Sequence, residues 1–485
     1  MLLKDIIHHI PITETVGNPG VDITGITADS REVTPGALFV AIKGLNTDGH
    51  KHIPQAVGLG AKAIVCTKLP DVCADGVVYI KTKDSAKDLG MIAANYYNHP
   101  SKKLRLIGIT GTNGKTTVAS MLYDVFTTLG YRCGLIATTG NRIAGDEQPS
   151  KHTTPDALSL NKILYEMVGT GCTYAFMEVS SHALVQHRTE AIHYCGAVFT
   201  NLSHDHLDYH KSFREYLKAK QLLFKALDKE AFALTNLDDK NGMIAIQNSK
   251  ARKVTFSLRA MAAFKAKVLE NSFHGLHLNI DGMDLQSKLT GTFNAYNILA
   301  VYGVGRLLGK SKDELLTAIS DCKPPEGRFD FFVSPKNVTG IVDYAHTPDA
   351  LENVLQTTRK IRQSGQQIIT VIGCGGDRDK SKRGPMAVIA AKHSDRVFFT
   401  SDNPRNENPE AIIEDMIQGL ELVPGLQEKY IAVTNRKEAI KVACITAGGG
   451  DIILVAGKGH EKYQEIGGEK FPFDDKALLK EFLNR

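Results

Sequence analysis

The sequence predicts an α/β protein of about three domains built on parallel sheets, and three observations predict it. The chain has 485 residues, against roughly 150 per domain. From residue 104 onward, short apolar runs alternate with helix-period stretches, the order that gives parallel strands joined by crossover helices. Glycine-rich turns follow those apolar runs repeatedly, at the strand ends where open parallel sheets gather their ligands.

Composition narrows the class. Hydrophobic residues make up 42% and charged residues 23%, which excludes a largely disordered chain. Lys plus Arg number 58 against 53 Asp plus Glu, a net charge of +5, so no nucleic-acid partner is expected. Lys4 and Asp5 interrupt the first apolar residues, and no run approaches the ~20 apolar residues of a membrane span, so no membrane partner is expected. The eight cysteines (66, 73, 133, 172, 195, 322, 374 and 444) include no Cys-x-x-Cys pair. That usage fits reduced thiols and a cytoplasmic location.

Taken in order, residues 1–103 mix strand-like runs at 37–42 and 63–65 with glycine-rich turns, closing on a polar junction at 100–103. A strand at 104–110 then leads through a glycine-rich turn into a helix at 118–129, stopped at Gly130. Strands at 174–179 and 197–202 precede a helix at 293–309, after which Ser311 and Glu314 form a capping-box signature. Pro324-Pro325 and the polar stretch over 323–335 mark a second boundary, so the expected domains are 1–103, 104–332 and 333–485. The last block alternates strand 339–343, helix 348–362, strand 367–373, helix 385–394, strand 396–401, helix 409–420 and strand 451–456.

The strongest motif is Gly111-Thr112-Asn113-Gly114-Lys115-Thr116-Thr117, between a strand and a helix. Glycines let backbone N–H groups close on phosphate oxygens, and the helix amino end adds a favourable dipole. Lys115 would reach the terminal phosphates and the Thr116 hydroxyl would bind Mg²⁺. Ile109 stands where the strict P-loop spacing has glycine. Glu178 ends an otherwise apolar strand and His206 follows the next one, offering ligands to fix a nucleotide's magnesium. Each has an ordinary alternative, a capped carboxylate or a hydrogen-bonded loop histidine. In the last block, the turns from Gly373, Ser401 and Ala456 all follow apolar strands and carry Arg378, Asp402, Asn403, Pro404, Arg405, Gly457 and Glu461. Arginines for carboxylates and acids for ammonium groups suit a zwitterionic, amino-acid-like ligand.

These motifs, with Met-Glu-Val-Ser-Ser-His at 177–182, Asp-His-Leu-Asp-Tyr-His at 205–210 and Asp-Tyr-Ala-His-Thr-Pro-Asp-Ala-Leu at 343–351, resemble the Mur ligases essentially end to end, and most closely the branch that makes the UDP-muramoyl tripeptide. The resemblance implies an amino-terminal domain holding the UDP portion, a central P-loop-type ATPase domain and a carboxyl-terminal Rossmann-like domain receiving the amino acid. It implies that ATP phosphorylates the D-Glu γ-carboxylate of UDP-MurNAc-L-Ala-D-Glu and that an incoming amine displaces the phosphate, in a cytoplasmic and monomeric enzyme of peptidoglycan synthesis. Residue by residue, it puts Thr116, Glu178 and His206 at metal sites beside the catalytic Lys115. It makes Lys220 the carbamylated lysine, with Lys218 the other lysine within reach on that segment. Substrate contacts would fall on Ser30, Thr153, Thr154, Ser180, Gln186 and Arg188. Nucleotide contacts would add Asn297, Arg328, Asp343 and His346 to the P-loop, with Phe293 and Asn294 opening the adenine-side helix.

In the family, Asp-Asn-Pro-Arg accompanies use of meso-diaminopimelate, and Asp402-Asn-Pro-Arg405 carries it here. Diaminopimelate has a second carboxylate that lysine lacks, and a guanidinium is its natural bidentate partner. Two other readings compete: a folylpolyglutamate-synthetase relative, opposed by residues 1–103 and by Asp-Asn-Pro-Arg, and a non-catalytic P-loop scaffold, which leaves Glu178, His206 and Lys220 without a role.

Overall fold

Alternation along the strand Arg105–Thr110 sorts the central layer. Leu106 packs into one hydrophobic cluster, while Ile107 and Ile109 pack into another on the opposite face of the sheet. One face is covered by the helices Lys115–Thr128 and Thr292–Leu307, the other by Ala157–Gly169 and Phe213–Lys225. Strands buried on both sides read as continuous apolar runs, which is why they were legible as strands. The computed structural model describes residues 1–44, 47–150, 152–421 and 423–484.

Three sheets carry the chain. The first has five strands in the order Ile12–Val16, Val78–Thr82, Ala63–Cys66, Leu38–Val40, Ile26–Thr27, with only the first pair antiparallel. In the second, six parallel strands run in the order Cys133–Ala137, Tyr174–Glu178, Arg105–Thr110, Gly196–Phe199, Phe232–Asn236, Arg252–Ser257. The strand order reverses at Arg105–Thr110, so the ends of its two neighbours open beside the turn that follows it, the usual ligand crevice of such sheets. In the third, Asp330–Val333, Thr339–Asp343, Ile452–Ala456, Ile368–Ile372, Arg396–Phe399 and Tyr430–Ala432 lie in that order, antiparallel only at the first pair.

Differences from the sequence expectation are local. Asp330–Val333 already pairs with Thr339–Asp343, so the third sheet begins upstream of residue 333. The central helix starts at Lys115 rather than 118, because its first turn is polar and an apolar pattern starts late. The antiparallel strands Phe264–Ser272, Gly275–Ile280 and Met283–Ser287, which extend the central sheet, were not foreseen. Nor was the hairpin Tyr463–Ile466 with Glu469–Pro472, closed by Gly467-Gly468 at φ +59° and +83°, the left-handed pair that a tight hairpin turn demands. No helix among the described residues is long and apolar enough to cross a membrane, and the eight cysteines are free thiols.

In the third domain Arg436 opens the helix Arg436–Thr446 and Asp475 opens Asp475–Asn484. The two side chains, both fully buried, meet in a pair of hydrogen bonds that Arg436 donates to the Asp475 carboxylate at 2.8 and 2.7 Å, and Arg436 also donates to the carbonyl of Ala456 at 3.0 Å. That anchors the end of Ile452–Ala456, from which the glycine-rich turn at Gly457 departs. Removing one partner strands a buried charge. Arg436→Met is therefore expected to lower the urea unfolding free energy by about 3–5 kcal/mol, and a loss below about 1 kcal/mol would contradict the assignment.

Candidate active site

The turn after Arg105–Thr110 is shaped by two glycines in the left-handed region. Gly111 has φ +152°, and a Cβ there would lie 1.9 Å from the Thr200 hydroxyl. Gly114, the N-cap of the helix, has φ +86°, and its Cβ would lie 2.5 Å from Asn297 Oδ1. The loop is braced from the next strand end: Thr112 N–H donates to the Asn201 carbonyl at 2.9 Å, Asn113 N–H to Asn201 Oδ1 at 2.9 Å, and the Thr200 hydroxyl to the Asn113 carbonyl at 2.6 Å. Thr200 and Asn201 were missed because nothing in an Asn-Leu turn announces a loop brace.

Two lysines converge on one oxygen. Lys115 Nζ donates to the Gly111 carbonyl at 3.0 Å and to that of Thr112 at 2.7 Å, while Lys220 Nζ donates to the same Gly111 carbonyl at 2.7 Å. Burial lowers the pKa of both, and the Lys115 charge pushes that of Lys220 further down. Lys220 is 1% exposed, with Nζ 4.3 Å from the Tyr216 ring centroid. Lys218 lies exposed and paired with Glu215 at 2.7 Å, so the structure separates the two candidates.

Glu178 is fully buried at the end of Tyr174–Glu178, accepting from Thr138 N–H at 2.8 Å and from its hydroxyl at 3.2 Å. Half-buried His206 caps the short helix Leu207–His210 at φ +55°, with Nε2 3.3 Å from Asp205. Burial, reinforced by His182 and Lys115, pushes its pKa down to about 3, so the ring is neutral at pH 7 and keeps a lone pair. Among the described residues no three His, Cys, Asp or Glu side chains converge as a metal cage. One carboxylate, one neutral imidazole and the Thr116 hydroxyl do not make a resident site, but they fit Mg²⁺ that arrives with phosphate oxygens of its own.

Beside Glu178 lies most of the expected substrate set. The Thr154 hydroxyl donates to the Glu178 carbonyl at 2.9 Å and accepts from Ser180 N–H at 3.0 Å; the Thr153 and Thr138 hydroxyls lie within hydrogen-bond reach at 3.0 Å. Arg188 grips Gln186 Oε1 at 2.6 and 3.0 Å and the Thr154 carbonyl at 3.0 Å. Ser30 sits in the first domain, donating to Gln55 at 3.0 Å, and no bond joins it to this cluster.

The third domain and the segment leading into it reach into the P-loop. Arg328 Nη2 donates to the Thr116 hydroxyl at 3.1 Å while its guanidinium stacks on Tyr344, 4.4 Å from the ring centroid. Asn113 Nδ2 donates to Asp349 at 2.8 Å, and His204 meets Asp379 at 3.4 Å. Asp349 lay unassigned within a motif already singled out. Asp343 accepts from Phe329 and Ala345 N–H at 2.6 and 2.7 Å, and burial raises its pKa to about 6 against the opposing pull of Arg328. His346 bonds the Tyr344 carbonyl at 2.8 Å, and burial lowers its pKa to about 4. Asn297 is fixed by Asn294 at 2.9 Å.

The three glycine-rich turns converge, since they follow the neighbouring strands Ile452–Ala456, Ile368–Ile372 and Arg396–Phe399. Arg405 is 19% exposed, with Nη1 on the Gly376 carbonyl at 2.7 Å and Nε 3.3 Å from Glu465. Asn403 bonds Glu461 at 2.8 Å, and a Cβ on Gly457 would lie 2.5 Å from Asp402. Pro404 is buried and Arg378 is exposed at the rim.

Known proteins match this architecture along its whole length. Residues 22–97 match the Mur ligase family catalytic domain, 109–305 the Mur ligase middle domain and 327–459 the Mur ligase glutamate ligase domain. A UDP-N-acetylmuramoyl-L-alanyl-D-glutamate--2,6-diaminopimelate ligase of Cytophaga hutchinsonii is 51% identical over 486 residues, covering 100% of this chain and 99% of its own. A protein of the same name from Listeria monocytogenes is 41% identical over 98% of this chain and 97% of its own. A solved structure of a ligase of that name superposes with TM-score 0.70 at 32% identity, over 100% of this chain and 98% of the other. A folylpolyglutamate synthase of Mycobacterium tuberculosis, at 18% identity and TM-score 0.61, shares the fold over 76% of this chain and 92% of its own. The chain belongs to the Mur ligase family.

Gly114→Ala would set a side chain against Asn297 in a backbone region that resists it. Calorimetric titration with Mg-ADP should find affinity reduced about tenfold or more; unchanged affinity would show that the turn does not cradle the nucleotide.

Proposed function

We propose that this Mur ligase is an ATP-dependent amide ligase that adds meso-diaminopimelate to the D-Glu γ-carboxylate of UDP-MurNAc-L-Ala-D-Glu. The observation that carries the reading is the meeting of two strand-end crevices: the P-loop turn of the central sheet bonds directly to the third domain through Asn113–Asp349, and to the segment leading into it through Thr116–Arg328. A nucleotide on the first crevice and an amino acid on the second would lie on either side of one space, with Glu178 and the Thr154–Arg188 cluster at its wall.

The chemistry follows from what a carboxylate lacks. It is a poor acyl donor until one oxygen becomes a phosphate leaving group. A γ-carboxylate oxygen attacks the terminal phosphorus of ATP and ADP departs. The incoming amine then attacks the acyl carbon, and the tetrahedral intermediate expels phosphate. Lys115 stays where negative charge builds during both transfers. Thr116, Glu178 and His206 would hold the Mg²⁺, which neutralises phosphate charge when bound. Arg188 and Gln186 orient the peptidyl substrate, and contact between the domains excludes water that would hydrolyse the acyl phosphate. Ser30 is assigned to the UDP portion, and Asn297, Arg328, Asp343 and His346 to the nucleotide. On this reading the enzyme works in the cytoplasm as a monomer, with three functional units near 1–103, 104–329 and 330–485.

Choice of amino acid rests on Arg405, whose backbone is held at φ +52° by bonds with Glu465 and Gly467, so that the guanidinium folds over Gly376. A ligand with a second carboxylate meets that guanidinium, whereas lysine leaves it poorly paired.

Purified protein given UDP-MurNAc-L-Ala-D-Glu, ATP and Mg²⁺ should form tripeptide product by mass with diaminopimelate and little with lysine; efficient lysine addition would refute the assignment. Arg405→Ala should lower kcat/KM for diaminopimelate about a hundredfold or more while Mg-ADP affinity stays within about twofold. Unchanged diaminopimelate turnover in that variant would remove Arg405 from the site.

A further inference from the structure

Lys458 lies in the turn that also supplies Gly457 and Glu461, yet its side chain is fully buried. Its Nζ donates to Asn403 Oδ1 at 2.9 Å and to Glu461 Oε2 at 3.1 Å, and it lies 5.5 Å from the centroid of the Tyr463 ring. Both bonded partners are residues assigned to the amino-acid site, on the turns after Arg396–Phe399 and Ile452–Ala456, two strands that flank Ile368–Ile372 in the sheet.

An ammonium group has donors only, so it decides which end of an amide can face it. Asn403 must present Oδ1 to Lys458, and the Glu465 N–H donates to that same oxygen at 2.9 Å. Nδ2 is thereby turned to Glu461 Oε2, at 2.8 Å. Glu461 Oε2 thus receives two bonds, one from the cation and one from the amide it orients. Glu465 in turn holds Arg405, accepting from the Arg405 N–H at 3.0 Å through its carbonyl and lying 3.3 Å from Nε through its carboxylate. One buried cation therefore sits at the root of a chain of bonds that runs through Asn403 to Glu461 and Arg405.

Burying a lysine costs several kcal/mol in desolvation, and a hydrophobic side chain would fill the same space without that penalty. The geometry points to Lys458 as a positioning residue of the amino-acid site, locking the Asn403 amide and the Glu461 carboxylate in the orientation that receives the diamino acid. This rests on the reading that Asn403 and Glu461 contact diaminopimelate. With Lys458 replaced by a neutral side chain, the amide is free to turn over and Glu461 loses its fixed cation.

Steady-state kinetics of the full-length enzyme test it, using Lys458→Met, Glu461→Gln and the double variant. Lys458→Met should raise KM for diaminopimelate about tenfold or more while KM for ATP and for UDP-MurNAc-L-Ala-D-Glu stays within about twofold. The double variant should lose less than the two single losses multiplied together, because the part of the Lys458 role that runs through Glu461 is already gone in Glu461→Gln. An unchanged diaminopimelate KM, an equal rise in all three KM values, or additive losses would overturn the proposal. Should Lys458→Met fail to fold, the double variant, which leaves no uncompensated carboxylate, decides alone: relative to Glu461→Gln, a further rise confined to the diaminopimelate KM supports the role, and no further change or an equal rise in all three KM values overturns it. Wild-type tripeptide formation separates the two claims, since its absence refutes the amino-acid assignment itself, and the positioning role with it.

Discussion

Two lysine side chains from different elements hydrogen-bond to one backbone oxygen, the Gly111 carbonyl, and much of the site depends on how that arrangement is tolerated. Two ammonium groups sharing one acceptor in a buried place repel each other. No carboxylate of the described residues pairs with either as a salt bridge. Burial lowers both pKa values; the Arg328 charge adds to the fall at Lys115 and the Lys115 charge to that at Lys220, which lies well below the usual lysine range. On the proposed reading the compensating anions come from outside the chain: polyphosphate for Lys115, and for Lys220 a carbamate formed on its own amine. A lowered pKa favours the uncharged amine, the form that attacks carbon dioxide.

The topology explains why these groups meet. Glu178 and the Thr200–His206 segment end the strands on either side of Arg105–Thr110, so the proposed metal ligands and the loop braces arrive from opposite flanks of the P-loop. Lys220 comes from the helix Phe213–Lys225 packed beneath the sheet. The third domain has its strand-end turns facing the same space, and Arg328 and Asp349 touch the P-loop itself. The contacts that join the last block to the central domain therefore fall on residues of the P-loop turn itself.

The parts of the fold with buried parallel strands were legible in the sequence, because burial on both faces leaves an unbroken apolar run and each crossover helix has its own period. The strands Phe264–Ser272 through Met283–Ser287 were not, since the alternation breaks down along them: after exposed Lys265 and Lys267, the apolar Leu269 and the adjacent Glu270 are both exposed. In the site, residues whose chemistry is carried by type were visible, among them Lys115, Glu178 and Arg405. Residues that act by holding others were not. Thr138, Thr200, Asn201 and Lys458 become informative only once the turns are brought together, because a hydroxyl, an amide or a lysine has a solvated role at most positions and a bracing role at few. The choice between Lys218 and Lys220 was likewise a matter of which helix face turns inward.

The state of Lys220 tests this account most directly. Equilibrating the protein with ¹³C-labelled bicarbonate near neutral pH and recording its ¹³C spectrum should give a carbamate resonance that persists in Lys218→Met and disappears in Lys220→Met. Absence of that resonance from the unaltered protein, or its survival without Lys220, would contradict the view that the paired lysines at Gly111 are arranged to hold an acquired anion.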